Sequence, residues 1–213
     1  RPTEWEVAGF IRDEYAREGL EATEGPTVAV NAHASDPHFE PSPDEARPIQ
    51  PGDWVLIDLW ARGHAADAIY ADITWVGCVG SRVPPEHRKV FQAVIGARDA
   101  ALEFIAEAFR EERRVQGWQV DQVARRYITK AGYGKAFTHR LGHSLGHEVH
   151  GDAVNLDSWE TKDTRELLTG LGVTIEPGLY LPQFGVRSEI DVYLSARGPE
   201  VTTPPQREVE RVG

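Results

Sequence analysis

Val7, Phe10, Ile11 and Tyr15 return at the spacing of one helix face, which predicts a helix through TEWEVAGFIRDEYAREG. Thr3 stands where an N-cap belongs, and Glu6, three residues on, completes a capping box. Gly19 supplies a stop. The next run, TVAVNAH, reads as a short strand ending in polar residues. A proline-rich stretch, DPHFEPSPDEARPIQPGD, follows and predicts irregular chain.

The most regular pattern comes next. WVLIDLW and AIYADITWVG are rich in β-branched and aromatic residues and are separated by ARGHAAD, which predicts an antiparallel hairpin. Val90, Val94, Ala97, Ala101, Ile105 and Phe109 trace an apolar stripe that predicts a long helix over 86–113. A second helix is expected from Trp118 to Ala131, closed by Gly132. Residues 137–213 alternate strand-like pieces with glycine and proline, with a short helix expected over 162–169. Pro204, Pro205 and the charged tail QREVERVG mark the expected end of the packed domain.

Composition narrows the class. The 213 residues suffice for one domain with a full core. Hydrophobic residues are 40% and charged residues 27%, as in a globular protein. A net charge of -11 and the lack of a basic run argue against nucleic acid as a partner. No apolar stretch approaches the roughly 18 residues of a membrane span, so no membrane association is expected. The lone cysteine, Cys78, rules out an internal disulfide and fits a reducing compartment such as the cytoplasm. Its phrase, VGCVG, reads as a buried strand end. The chain has no methionine and begins at Arg1, so it is expected to be part of a longer chain.

Three groups of residues carry candidate chemistry. Asp58 and Asp72 fall on the two strands of the hairpin, and a turn centred near 63–66 sets them opposite each other. Two facing carboxylates repel unless a cation lies between them; otherwise one is a surface group. Glu176 and Glu189 repeat the pattern in VTIEPGLYL and VRSEIDVYL. A glutamate among Val, Ile, Leu and Tyr needs a cation or a strong donor. Arg187, expected on the same strand face as Glu189, is the rival partner. Pro177 and Gly178 bend the chain after Glu176. His139, His143, His147 and His150 crowd into THRLGHSLGHEVHG, the third group. Such a cluster suits metal binding or proton transfer, with solvated surface histidines as the plain alternative. Gly142, Gly146 and Gly151 speak against a helix here and for close backbone packing.

Taken in order, the phrases IDLW, ADIT, GHSLGHEVH, TIEPG and RSE resemble those of the pita-bread metallopeptidases, from the Thr3 helix to about Ser195. That resemblance implies an α+β fold with a curved antiparallel sheet flanked by helices, and residues 1–213 as one catalytic domain. It implies two divalent metal ions, manganese first, with cobalt, zinc or iron as alternatives. Asp58 is similar to the ligand of one metal, Asp72 and Glu189 to the bridging carboxylates, and His143 and Glu176 to the ligands completing the second. Glu176 also resembles the residue that takes a proton from the attacking water. His150 and His38 resemble catalytic histidines, and His139 and Arg187 resemble substrate-binding residues.

The PHF and GVRSE phrases look more like the proline-directed members, Xaa-Pro aminopeptidase and prolidase, than methionine aminopeptidase. The resemblance therefore implies a peptide or dipeptide substrate and a homodimer. A methionine aminopeptidase-like enzyme, a metal-free hydrolase of the creatinase kind and a non-catalytic pita-bread binding module are the alternatives. Three departures stand out. Asp58 and Asp72 lie further apart than is usual, making Asp67 a rival to Asp72. Gly151 follows His150 where an acidic residue is commoner. The separate N-terminal domain of proline-directed members has no counterpart within these residues.

Overall fold

The capping box at Thr3 forms as the sequence requires. Thr3 Oγ1 accepts the Glu6 N–H at 3.2 Å, and the Thr3 N–H donates to the Glu6 carboxylate at 2.7 Å. This starts helix α1 (Glu4–Glu18) of a computed structural model that describes residues 1–213. Gly19 ends the helix in the left-handed region at φ 68°, where a side chain would be strained. Glu4, which reads as an ordinary first-turn acid, is fully buried. Its carboxylate accepts the N–H groups of Val30 and Arg47 at 2.6 and 2.8 Å, which fastens α1 to the following chain.

Strands β1 (Leu20–Glu21), β2 (Thr27–Val30), β3 (Trp54–Gly63) and β4 (Ala71–Val79) form most of the first sheet. β3 and β4 are the predicted hairpin, but its register differs from the expectation. Asp58 pairs with Thr74, and Trp60 with Asp72. The two aspartates are therefore diagonal neighbours on one sheet face rather than opposite. The reason lies in the turn. β3 runs on to Gly63 to pair with β1, so the loop to β4 is centred later than the sequence suggested. Cys78 is buried on β4, as its phrase indicated.

Helices α2 (Pro85–Arg110) and α3 (Gly117–Lys130) match the two predicted helices within a few residues. They contribute Val90, Val94, Ala97, Ala101, Ile105 and Ile128 to one core cluster of 32 buried residues. No helix of the structure is long and apolar enough to cross a membrane.

The C-terminal third holds β5 (Ser144–Leu145), β6 (Gly172–Ile175), β7 (Gly178–Leu181), β8 (Phe184–Arg187), β9 (Ile190–Ser195), β10 (Gly198–Val201) and β11 (Glu210–Val212). β10, β9, β6 and β5 form a four-stranded sheet, and β7 and β8 a two-stranded one. β6–β7 and β8–β9 are one long hairpin, broken into two sheets by a kink in each arm. Ile175 pairs with Ile190 and Gly178 with Arg187. Extending that register across the kink sets Glu176 opposite Glu189.

Two expectations fail here. Residues 162–169 are not helical. The carbonyls of Asp163 and Arg165 instead accept the free N–H groups of Trp118 and Gly117 at the start of α3, at 3.0 and 3.1 Å. The Asp163 carboxylate accepts from the backbone N–H groups of Asn155 and Arg165, an alternative to helical bonding. The tail is also no loose end. Gln206 is 1% exposed, and β11 lies parallel to β4 as an added strand.

Candidate metal centre

Two hairpins and one loop build the site. The β3–β4 hairpin presents Asp58, Trp60, Asp72 and Thr74 on a single face, by strand alternation and the register above. The kinked hairpin presents Glu176 and Glu189 at its two bends. Glu189 does not share a strand with Arg187, as the sequence suggested. Arg187 closes β8, and Glu189 lies in the two-residue crossover to β9. His143 comes from the glycine-rich segment ahead of β5. Gly142 is indispensable there: a Cβ on it would stand 2.1 Å from the Thr174 carbonyl oxygen. Gly151 also packs closely, against Ser144, whereas Gly146 has open space around it.

All nine residues expected at the site border one cleft of about 280 Å³. Asp72, His143 and Glu189 each bring a ligand atom within 4.8 Å of the others, and all three are buried. The His143 Nε2 lies 3.6 Å from Asp72 and 3.4 Å from Glu176. Its Nδ1 faces the Ser144 carbonyl at 3.2 Å, the arrangement that leaves Nε2 free to bind a cation. Asp67 is exposed in the turn and does not border the cleft, whereas Asp72 is buried and does.

The donor set fits divalent cations. One oxygen each of Asp58, Asp72 and Glu189 is buried without any hydrogen-bond partner. Such oxygens are costly unless a cation meets them. Burial raises the Asp72 carboxyl well above its usual range, and the charge of Asp58 adds to this. Burial likewise raises Glu189 far up, helped by Asp72, Glu176 and Asp58. Glu176 is pushed up to about 7 by burial, against the pull of His143 and Arg187. Three carboxylates raised by burial and packed beside Asp58, with the imidazole of His143 favoured as neutral, form an electrostatic hole for positive charge. Arg187 fills part of it: its guanidinium pairs with Asp58 and donates to Thr74 Oγ1 and the Tyr180 hydroxyl at 3.1 and 2.9 Å. The alternative pairing of Arg187 with Glu189 does not occur. Glu189 instead accepts from Thr74 Oγ1 at 2.7 Å.

The remaining histidines surround this centre. His150 sits edge-on to His143 with ring centroids 4.4 Å apart, and its pKa is lowered to about 4, chiefly by the surrounding atoms that desolvate it. It is exposed where it borders the cleft and is neutral at pH 7. His139 is lowered to about 3 by burial and then by Arg187, and its Nε2 meets the Tyr180 hydroxyl at 2.8 Å. His38 is exposed and also borders the cleft. His147 does not border the cleft.

Four supporting residues escaped the sequence reading. Thr174 Oγ1 accepts the His143 N–H at 3.0 Å and donates to Glu176 at 3.2 Å. Thr74 links Glu189 and Arg187. The Asp191 carboxylate accepts the Asp72 N–H at 2.9 Å. Each stands two residues from a candidate ligand, so strand alternation alone was a usable signal for all three. The fourth, Tyr180, had no such signal. Burial pushes its hydroxyl up to about 12, and it joins His139 to Arg187.

Residues 1–196 match the family described as Metallopeptidase family M24. The chain is 32% identical over 209 residues to a Xaa-Pro dipeptidase of Pyrococcus furiosus, covering 97% of this chain and 55% of that protein. Among solved structures it is similar to an X-Pro aminopeptidase from Thermotoga maritima, at a TM-score of 0.82 and 34% identity over 99% of this chain and 55% of the other. It is also similar to the dipeptidase PepE from Mycobacterium ulcerans, at 0.84 and 29% over 99% and 53%. The chain thus spans about half the length of the relatives it matches. The pita-bread fold implied by the sequence phrases is the fold found, with its sheet divided into three hydrogen-bonded pieces.

Proposed function

The chain belongs to metallopeptidase family M24, and from that premise we propose that it serves a metal-dependent exopeptidase that hydrolyses the bond between an N-terminal residue and proline. The observation that carries this reading is the convergence of five potential ligands on one cleft, with three buried carboxylate oxygens left unpaired. Asp58 would hold one divalent ion, His143 and Glu176 a second, and Asp72 and Glu189 would bridge them. Two such ions, manganese first among them, supply an activated water and a polarised carbonyl when bound.

The chain's own residues do the rest. Glu176, in the cleft beside His143, would accept the proton of the attacking water. Its hydrogen bond from Thr174 orients the carboxylate. His150 and His38, exposed at the cleft, would donate hydrogen bonds to the developing oxyanion, and Glu176 would pass the proton it took from the water to the departing nitrogen. A bond to proline is a tertiary amide with a hindered nitrogen, so a positioned proton donor at that atom matters. His139, held neutral by burial, and Arg187, fixed by Tyr180 and Thr74, bind the substrate from the inner wall.

Residues 1–213 constitute one catalytic domain in this reading. It takes a peptide or dipeptide as partner, and the names of the Pyrococcus and Thermotoga relatives support the proline preference. The homodimer, the cytoplasmic location and manganese as the metal follow from the resemblance and the lone buried cysteine.

A panel of Gly-Pro, an Ala-Pro peptide and a Met-peptide, assayed on the full-length protein with manganese, tests the assignment. Cleavage before proline with the Met-peptide spared is expected. Preference for the Met-peptide would overturn the proline assignment, and no cleavage of any would favour a binding module.

A further inference from the structure

Thr202, Thr203 and Gln206 lie beyond the part of the chain that matches the family, yet their contacts lead to the strands that carry Asp72 and Glu189. Three separate routes do this. The Thr202 N–H donates to the Asp191 carbonyl at 2.9 Å, and Thr203 Oγ1 accepts the Asp191 N–H at 2.8 Å. Asp191 in turn accepts the Asp72 N–H. The Gln206 side chain acts as a missing strand: its Oε1 accepts the Val76 N–H at 2.9 Å, and its Nε2 donates to the Val76 carbonyl at 2.6 Å. Val76 stands four residues beyond Asp72 on β4. Finally, the Gln206 carbonyl accepts from Arg98 Nη1 at 2.9 Å, and the same Nη1 donates to Ser188 Oγ at 2.8 Å.

The last contact touches the weakest part of the centre. Residues 188–189 form the crossover between two sheets, outside either strand ladder. Their backbone is held by Ser188 N–H to the Pro177 carbonyl at 3.4 Å and Glu189 N–H to the Thr74 carbonyl at 3.2 Å, both long. Arg98 is 2% exposed, and its remaining partner, Asp99, is largely solvated. A buried guanidinium with one face committed to Ser188 and the tail is a rigid brace for the residue beside Glu189.

We propose that Arg98 and Gln206 form a positioning clip, through which the C-terminal segment fixes the spacing of Asp72 and Glu189 for metal binding. This rests on the proposed metal centre. A tail that merely closes the fold needs the pairing of β11 with β4, whereas these bonds end on ligand-bearing segments.

The test uses the full-length, chelator-treated protein and its variants Gln206→Ala, Arg98→Met and Arg98→Lys, with Ile128→Ala in α3 as a core-destabilised control. Amide hydrogen exchange is followed at Asp72 and Glu189 without metal, and Mn²⁺ affinity by calorimetry. Gln206→Ala and Arg98→Met are expected to speed exchange at both amides and to weaken Mn²⁺ binding roughly 10-fold or more. Arg98→Lys restores part of each, and Ile128→Ala lowers the Tm while moving neither. Unchanged exchange and affinity in Gln206→Ala and Arg98→Met, with only the Tm reduced, overturn the clip. Wild-type protein that binds no Mn²⁺ overturns the proposed function instead, and the exchange rates alone then decide the clip.

Discussion

Thr174→Val removes one hydroxyl from the middle of the centre and little else. Valine has nearly the same shape and keeps the β-branch that suits β6. The backbone bond from Thr174 N–H to the His143 carbonyl, at 2.8 Å, is untouched. Two side-chain bonds are lost. The His143 N–H, buried beneath a residue that is fully buried itself, is left without its acceptor, which costs about 1–3 kcal/mol. The donor to Glu176, at 3.2 Å, is long and contributes about 1 kcal/mol. The extra methyl returns about 0.8 kcal/mol. A net loss of about 1–3 kcal/mol is therefore expected, read as a lower urea midpoint at unchanged m in chelator-containing buffer. Thr174→Ser keeps the hydroxyl and should lose only what a missing methyl costs, about 1 kcal/mol. Valine as stable as wild type, or serine weaker than valine, would refute the view that this hydroxyl holds His143 and Glu176 in place.

Metal-free protein should lose stability as the pH rises above 6.5. The histidines that burial favours as neutral in the folded chain give up most of their protons in the unfolded one by about pH 7, so they oppose this only weakly from there on. Glu176 and Asp191, both pushed up to about 7 by burial, hold protons in the folded state near pH 7 that the unfolded chain has released, and burial moves Asp72 and Glu189 in the same direction, so the slope is negative there. Added Mn²⁺ should reverse the slope, because it binds the ionised carboxylates; thermal melts from pH 6.5 to 8.5 with and without the ion check this. Gly142→Ala forces a Cβ to 2.1 Å from a backbone oxygen and should cost about 1–3 kcal/mol or prevent folding, whereas Gly146→Ala, with open space around it, should stay within about 0.5 kcal/mol in the same melts.

What the sequence revealed was local or phrase-bound. Thr3, Glu6 and Gly19 set the ends of α1 through contacts within one turn, so their pattern is readable directly. The apolar stripe of α2 and the β-branched runs of β3 and β4 are equally local. The five candidate ligands could be picked out because each sits in its own short phrase, and all five border one cleft. The β3–β4 register was misjudged because it depends on β1, which draws β3 out to Gly63 and moves the turn. The tail was misread because Gln206 meets Val76 across 130 residues, and a charged sequence gives no sign of a partner so distant. Residues 162–169 look helical in isolation, but their carbonyls are taken by the start of α3. Glu4 and Tyr180 are buried by elements remote in sequence, so nothing beside them foretold their roles.

The count of divalent ions bound per chain tests the dinuclear centre most directly. Calorimetric titration of chelator-stripped full-length protein with Mn²⁺ should give two ions per chain, and Asp72→Ala and Glu189→Ala, each removing a carboxylate proposed to bridge them, should abolish at least one of them. A wild-type chain that binds none, or variants that bind as wild type does, would contradict it.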